Sequence, residues 1–272
     1  MIEEAAADVD GIRVFMRRRP GDGPPVVFVH GNPTHSEDWL PFLRTMEGSA
    51  IALDLPGWGR SDRPDPHRFV GTMHGLAAFV ERFLESISVG EYSLVVHDWG
   101  GLALIGAQVD PDRVRRLVII NAVPLLQGYR WHWIAQMWRR RGVGEVFNAT
   151  TTRPGVALLL RQATADRRPM PAEFVDMIWR HLDRGTRRAI LELYRSAPEP
   201  ALAEAGARLS ELRCPALVVW GARDPYLPVE FARPYAGRLP NAELIELPDA
   251  GHWPWIERPD VVDTVTRFLT AG

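Results

Sequence analysis

The sequence contains no lysine, and all 32 of its Lys and Arg positions are arginine. This absence excludes chemistry through a lysine Schiff base and phosphate binding by a lysine clamp. The 34 acidic residues leave a formal net charge of −2, which gives no reason to expect an anionic partner. We therefore predict that the protein binds neither nucleic acid nor an anionic membrane surface.

Cysteine and long apolar runs are also scarce. Cys214 is the single cysteine, so an intrachain disulfide is excluded and nothing indicates an oxidising compartment. No stretch approaches 18 uninterrupted apolar residues, so no membrane span is expected. The acidic start of the chain lacks the apolar segment of a signal peptide, and we expect a cytoplasmic protein.

Motifs for metals and nucleotides are missing as well. The eight histidines and one cysteine show no zinc-site spacing, and the sequence has neither Gly-x-Gly-x-x-Gly nor a P-loop. We therefore expect no metal and no cofactor. The sequence does not indicate an oligomeric state.

Short apolar runs alternate with segments of helical periodicity. A loosely alternating segment, Gly11–Met16, predicts an opening antiparallel strand. Buried strands are predicted at Val26–Val29, Ala50–Leu53, the run that begins at Tyr92, Val114–Ile120, Ala216–Trp220 and Ala242–Leu247. Helices are predicted at Thr72–Ser88, Leu102–Val109 and Pro259–Leu269. This order predicts an α/β fold, in which helices cover both faces of a mostly parallel sheet.

The pattern changes after the strand predicted at Val114–Ile120. From Pro124 to Gly206 the sequence is helical in character and lacks strand runs. A set of helices inserted into a sheet protein predicts a cap over the strand ends. We therefore expect a core in two parts, residues 1–123 and 207–272, with a helical cap at 124–206 between them.

A nucleophile elbow is predicted around Asp98. The strand that begins at Tyr92 ends abruptly, and Gly100 and Gly101 open the next helix. The elbow pattern is Gly-x-nucleophile-x-Gly, and here Val96 replaces the first glycine. The structural alternative is that Asp98 only caps the following helix.

An aspartate at the elbow predicts a different chemistry from a serine. A serine ether formed on a saturated carbon would resist water, whereas a serine acyl ester does not. A carboxylate is ionised near neutral pH and can displace a leaving group from an sp³ carbon directly. The product is an ester, which water can hydrolyse. Asp98 therefore indicates alkyl substrates with a carbon–halogen bond or a strained epoxide, and a serine-type esterase is disfavoured.

Two later residues complete a possible catalytic triad. Asp224 follows one buried strand, and His252 lies in the loop after the next. The carboxyl ends of parallel strands form the ligand-binding edge of such a sheet. His252 would activate water, and Asp224 would orient it. Individually, Asp224 could be a turn residue and His252 a surface loop residue.

The chain resembles the α/β-hydrolase superfamily and, within it, the haloalkane dehalogenase and epoxide hydrolase branch. The matching stretches cover most of the chain outside the cap: His30–Thr34, Asp54–Asp62, Val95–Gly101, Trp220–Asp224 and Gly251-His252. The resemblance implies a covalent ester on Asp98.

The resemblance also implies how the leaving group is held. In haloalkane dehalogenases an Asn and a Trp donate N–H groups to the halide, which implies this role for Asn32 and Trp99. In epoxide hydrolases cap tyrosines protonate the opening oxygen, and Tyr194 matches one of them. The second tyrosine is not evident, with Tyr129 as a possible substitute. Tyr194 could instead pack its ring inside the cap.

The sequence therefore predicts a hydrolase that acts with water on a small apolar substrate. A haloalkane dehalogenase is the first hypothesis and an epoxide hydrolase the second. A non-catalytic ligand-binding protein of the same fold is the third. We also predict a cis bond before Pro33.

Overall fold

The computed structural model describes residues 1–271, and these form one eight-stranded sheet. The spatial order of its strands is β1-β2-β4-β3-β5-β6-β7-β8. Strands β1 and β2 are antiparallel to their neighbours, and the others run parallel to one another. The strands are β1 (Glu3–Val9), β2 (Ile12–Arg19), β3 (Val26–Val29), β4 (Ala50–Leu53), β5 (Tyr92–Asp98), β6 (Val114–Ala122), β7 (Ala216–Gly221) and β8 (Ala242–Leu247). The predicted α/β fold with a mostly parallel sheet is confirmed.

The three helices predicted with bounds are present with small differences at their ends, whereas the core helices Leu40–Thr45, Ala232–Arg238 and Pro254–Glu257 were not predicted. They are α1 (Leu40–Thr45), α2 (Met73–Ser86), α3 (Ala103–Ala107), α4 (Trp133–Arg139), α5 (Val143–Thr150), α6 (Arg153–Leu160), α7 (Ala172–His181), α8 (Arg184–Ser196), α9 (Glu199–Ala205), α10 (Ala232–Arg238), α11 (Pro254–Glu257) and α12 (Asp260–Thr270). The predicted helix Leu102–Val109 is shorter, because a 3-10 turn, Trp99–Leu102, precedes α3.

Helices cover both faces of the sheet, because the parallel strands are apolar on both sides. In β5, Leu94 and Val96 point into a core that includes α2 and α3. Val95 points into the opposite core, which includes α1 and α12. Both faces of the sheet are thus covered by helices. The ends of the strands are therefore where a functional site can form.

The first strand was not predicted. Strand β1 is rich in alanine and acidic residues, which have low strand propensity, and alternate residues are exposed. It forms by pairing with β2 through a tight turn at Asp10 and Gly11, both of which have positive φ. The strand predicted at Gly11–Met16 is therefore the second strand of a hairpin.

The segment between β6 and β7 is helical. Residues 123–215 are all described, and they contain α4 to α9 and no strand. Within residues 1–271, no helix is both long and apolar enough to cross a membrane.

Candidate functional site

Asp98 is the last residue of β5 and has an unusual backbone conformation. Its φ is 48° and its ψ is −124°, a strained combination for a residue with a side chain. The chain turns here against the neighbouring strand β3. A Cβ on Gly100 would lie 2.0 Å from the Val29 carbonyl oxygen, so only glycine fits there. Val96 can replace the first glycine of the elbow pattern because the turn begins only after it. Val96 still pairs within the sheet, with Val29 and Ile119.

The two carboxylate oxygens of Asp98 have different surroundings. Oδ1 accepts a hydrogen bond from the Asn32 backbone N–H at 2.7 Å. Oδ2 lies 3.7 Å from His252 Nε2. The approach of the Asn32 loop depends on Gly31, since a Cβ there would lie 2.3 Å from Asp98 Oδ1. One oxygen is therefore anchored, and the other faces the imidazole.

The carboxylate of Asp98 is buried, and this burial raises its pKa above the usual value. The charge of His252 and the backbone N–H groups of Asn32 and Trp99 oppose the shift. These N–H groups would equally stabilise negative charge on Oδ1 during a reaction.

His252 is hydrogen-bonded to the predicted acid. Its Nδ1 lies 2.7 Å from Asp224 Oδ2. The other oxygen of Asp224 accepts from the backbone N–H groups of Tyr226 at 2.8 Å and Leu227 at 3.1 Å. The loop after β7 thus fixes Asp224, and Asp224 fixes the imidazole.

Charges around His252 favour its protonated form. Burial by itself lowers the pKa of His252. The charge and hydrogen bond of Asp224, with the charges of Asp98 and Asp38, outweigh burial and raise the pKa above its usual value. The imidazole can therefore accept a proton from water and keep the resulting charge in a buried site.

Asn121 belongs to the same network and was missed in the sequence. Its Nδ2 donates to Asp224 Oδ2 at 2.7 Å, and its Oδ1 accepts from the Gly221 N–H at 2.8 Å. Its φ of 35° lies in the left-handed region, which asparagine tolerates better than most residues. The available signal was a polar residue at the carboxyl end of the apolar strand β6.

Other contacts hold the backbone of His252. Its N–H donates to the Ala163 carbonyl at 2.8 Å, which ties the loop to the helical segment. Its carbonyl is 2.8 Å from His97 Nε2. His30 contacts the Leu55 N–H and the Gly31 carbonyl, at 2.9 Å and 2.8 Å. His30 and His97 thus support loops around the site.

Asn32, Trp99 and Tyr194 meet beside Asp98. The indole N–H of Trp58 donates to Asn32 Oδ1 at 3.4 Å, which leaves the amide N–H₂ for another partner. The Asn32-Pro33 bond is cis, as predicted. Trp99 Nε1 is buried and has no hydrogen bond of normal geometry within residues 1–271. The Tyr194 ring stands edge-on to the Trp99 ring, with their centroids 5.0 Å apart.

Tyr194 is a buried phenol. Burial raises its pKa well above the usual value, and the charge of Asp98 adds to this effect. The side chains of Trp99 and Asn32 face the hydroxyl and oppose the shift. Tyr129 lies elsewhere, because its hydroxyl donates to the Tyr226 carbonyl at 3.2 Å.

A small cavity of about 80 Å³ lies against Asp98 and His252. Its polar lining comes from Asn32, Asp98, His132, Asn148, Thr151, Tyr194, Tyr226 and His252. Much of the remaining wall comes from apolar side chains of the helical segment, including Ile134, Val156, Leu159, Leu160, Ile178 and Ile190. Within residues 1–271 no group of three or more His, Cys, Asp or Glu side chains could hold a metal ion.

The sequence matches a family model described as the alpha/beta hydrolase fold over residues 24–259. The chain belongs to the α/β-hydrolase family. A haloalkane dehalogenase of Mycolicibacterium paratuberculosis is 30% identical to this hydrolase, over 99% of this chain and 92% of that protein. The family relationship favours an enzyme over the non-catalytic alternative.

Solved structures share the architecture of this α/β hydrolase. The haloalkane dehalogenase DbeA from Bradyrhizobium elkani matches it with a TM-score of 0.84 and 25% identity, over 100% of both chains. The epoxide hydrolase CorEH has a TM-score of 0.81 at 20% identity, over 100% of this chain and 99% of that one, a likeness of fold alone. The predicted place within the haloalkane dehalogenase and epoxide hydrolase branch is confirmed.

Proposed function

We propose that this α/β hydrolase cleaves the carbon–halogen bond of small haloalkanes with water, through a covalent ester on Asp98. One observation carries the proposal. Asp98 presents an anchored oxygen to the Asn32 N–H and a second oxygen to His252 Nε2, at 2.7 Å and 3.7 Å. A carboxylate in this position can act as a nucleophile toward an alkyl carbon.

In the first step Asp98 Oδ2 attacks the carbon that carries the halogen. Its electron pair forms the new C–O bond, and the halide leaves with the electrons of the old one. Oδ1 becomes the carbonyl oxygen of the ester and already lies against the Asn32 N–H. The substrate is thereby held on the enzyme as an alkyl ester.

Asn32 and Trp99 are proposed to stabilise the leaving halide. A halide that leaves into an apolar cavity requires donors that are already in place. The indole N–H of Trp99 and the side-chain amide of Asn32 supply two N–H groups beside Asp98, where both side chains face the Tyr194 hydroxyl. Loss of one donor of this type commonly costs about 2.7–4 kcal/mol of barrier.

In the second step His252 Nε2 takes a proton from water as the water oxygen attacks the carbon of the Asp98 carboxyl group. The negative charge appears on Oδ1, where the N–H groups of Asn32 and Trp99 receive it. The intermediate collapses to the carboxylic acid of Asp98 with release of the alcohol, which takes the proton from His252. The acid then loses its proton through His252 to solvent, which restores the carboxylate. Asp224 holds the imidazolium throughout.

Residues 124–206 are proposed to act as a cap on the core formed by residues 1–123 and 207–272. Helices α4, α6, α7 and α8 supply apolar residues to the cavity wall. Such a wall favours an apolar substrate and excludes bulk water from the nucleophile.

Trapping the covalent ester tests the proposal. In His252→Gln the first step should proceed and the second should stop, because the general base is removed. After incubation with 1-bromobutane, the intact mass should rise by one butyl group, and peptide mapping should locate it at Asp98. The control, His252→Gln combined with Asp98→Ala, should stay unmodified. An unmodified single variant would contradict the proposal, as would wild-type product oxygen that comes directly from solvent in the first turnover.

An epoxide hydrolase is the second candidate, and Tyr194 favours it. Its hydroxyl is buried beside Asp98, and its raised pKa keeps it protonated at neutral pH. It could therefore donate a proton to the oxygen of an opening epoxide.

Two matched variants separate the candidates. Trp99→Phe removes the indole N–H, and Tyr194→Phe removes the hydroxyl. For a dehalogenase, Trp99→Phe should slow halide release about 100-fold, which corresponds to the loss of one donor, and Tyr194→Phe should have a smaller effect. Bromide release and epoxide opening are measured for both variants. Loss of epoxide opening in Tyr194→Phe, with no bromide release by the wild type, would favour the second candidate.

A further inference from the structure

Asp38 is a buried carboxyl group for which the proposed mechanism has no role. It lies in the 3-10 helix Ser36–Trp39, and 4% of its surface is exposed. Within residues 1–271 it forms no ion pair with an arginine, although its neighbour Glu37 contacts Arg17 at 3.3 Å. Asp38 instead forms a hydrogen bond with the loop that carries His252.

This contact is a hydrogen bond from Trp253. The indole Nε1 of Trp253 donates to Asp38 Oδ2 at 3.2 Å. Trp253 directly follows His252, and the two rings meet edge-on with centroids 4.4 Å apart. Asp38 therefore holds a side chain that packs directly against the imidazole.

The groups around Asp38 come from three other parts of the chain. The Thr34 hydroxyl and the Trp253 indole face it, and so do the charges of His252 and Asp98. Burial raises the pKa of Asp38 to about 7, and the charge of Asp98 adds to this rise. The two hydrogen bonds and the charge of His252 oppose it.

We infer that Asp38 is a positioning residue for His252, which holds the base through Trp253 and stabilises the imidazolium during hydrolysis of the ester. This inference rests on the proposed function and adds a second carboxylate to the site. Asp98 loses its charge when it is esterified. Asp224 and Asp38 are then the carboxylates whose charges act on the imidazolium.

Asp38→Asn tests the inference, because asparagine keeps a similar shape and an oxygen for the Trp253 N–H but carries no charge. With 1-bromobutane, the initial burst of bromide reports the first step, and decay of the butylated enzyme reports the second. The burst should stay within about threefold of the wild type. Ester hydrolysis should slow about tenfold, the effect expected of one charge several ångströms away.

The pH dependence distinguishes this role from a purely structural one. Asp38 is charged above a pKa of about 7 and neutral below it. The ratio of wild-type to Asp38→Asn hydrolysis rates should therefore approach one well below neutral pH and rise to its full value well above it. A structural defect would slow both steps at every pH.

Glu37→Gln is the matched control. It removes a carboxylate from the same 3-10 helix, but one that faces Arg17 and Arg180 rather than the base. Its burst, its hydrolysis rate and its pH profile should match the wild type.

A measurement without substrate separates this inference from the proposed function. The His252 imidazole is titrated by NMR in the free enzyme, where Asp38→Asn should lower the pKa of His252 by about one unit. An unchanged pKa or an unchanged hydrolysis rate would overturn the inference. A His252→Gln enzyme that 1-bromobutane leaves unmodified would contradict the proposed function only. If Asp38→Asn does not fold, Trp253→Phe replaces it. This variant should lower the pKa of His252 by less than one unit. An unchanged pKa of His252 in Trp253→Phe would contradict the inference.

Discussion

Asp98 has to satisfy two opposing conditions as a proposed nucleophile. It must be buried, because bulk water would compete for the substrate, yet it must be ionised in order to attack. Burial raises its pKa, and the surroundings limit this rise through His252 and two backbone N–H groups. The same N–H groups stabilise the ground-state carboxylate and the later oxyanion. Ionisation and catalysis thus depend on one set of donors.

Asn121 provides a test of the network at the scale of a single residue. It donates to the same Asp224 oxygen that contacts His252 Nδ1. Asn121→Ala should slow hydrolysis of the ester about 10- to 100-fold, since a hydrogen bond to a charged group is worth about 1.5–3 kcal/mol. Formation of the ester should change little, because the hydrogen bonds of the Asn121 side chain go to Asp224 and Gly221. The two rates are measured with 1-bromobutane as burst and decay.

Asn241→Ala is a suitable control for this variant. Its side chain also donates a hydrogen bond, to the Arg213 carbonyl at 2.6 Å, but it lies in an exposed position. Both of its rates should equal those of the wild type. Equal loss of both rates in Asn121→Ala would show that the residue supports the fold rather than the base.

At the scale of elements, short strands were the easiest to predict, whether fully buried like β3 and β4 or partly exposed like the edge strand β8. Strands β3, β4 and β8 were predicted with the bounds that the structure has, because each is a short run bounded by turn residues. Strand β1 escaped prediction because its residues have low strand propensity and its pairing with β2 determines its conformation. The Asp-Gly turn was the available hairpin signal.

Some residues of the site could likewise be predicted from the sequence, and others could not. Asp98, Asp224 and His252 were predictable because each follows a recognisable strand, and the ends of parallel strands converge. Asn121 follows the same rule, because it comes directly after the predicted strand Val114–Ile120, but it was not considered as a site residue. Asp38 was beyond sequence reasoning, because its burial depends on Trp253, which is 215 residues away in the chain.

At the scale of the whole molecule, the core and the helical segment contact each other at the site. Ala163, between α6 and α7, accepts the hydrogen bond from the His252 N–H. Leu159 of α6 accepts one from the Tyr226 hydroxyl at 3.3 Å. A shift of these helices would therefore act on the base loop as well as on the cavity wall.

The stability of the whole molecule should depend on Asp38 and pH together. In the unfolded chain the pKa of an aspartate is near 4, whereas burial raises that of Asp38 to about 7 in the fold. The folded state thus binds more protons between these values, and its stability decreases as pH rises through this range. Asp38→Asn removes this cost, so it should raise the free energy of unfolding by about 1–3 kcal/mol above pH 7 relative to the wild type, with little gain near pH 4. Urea unfolding at both pH values measures the difference. An equal gain in the free energy of unfolding at both pH values would mean that the charge of Asp38 does not oppose folding.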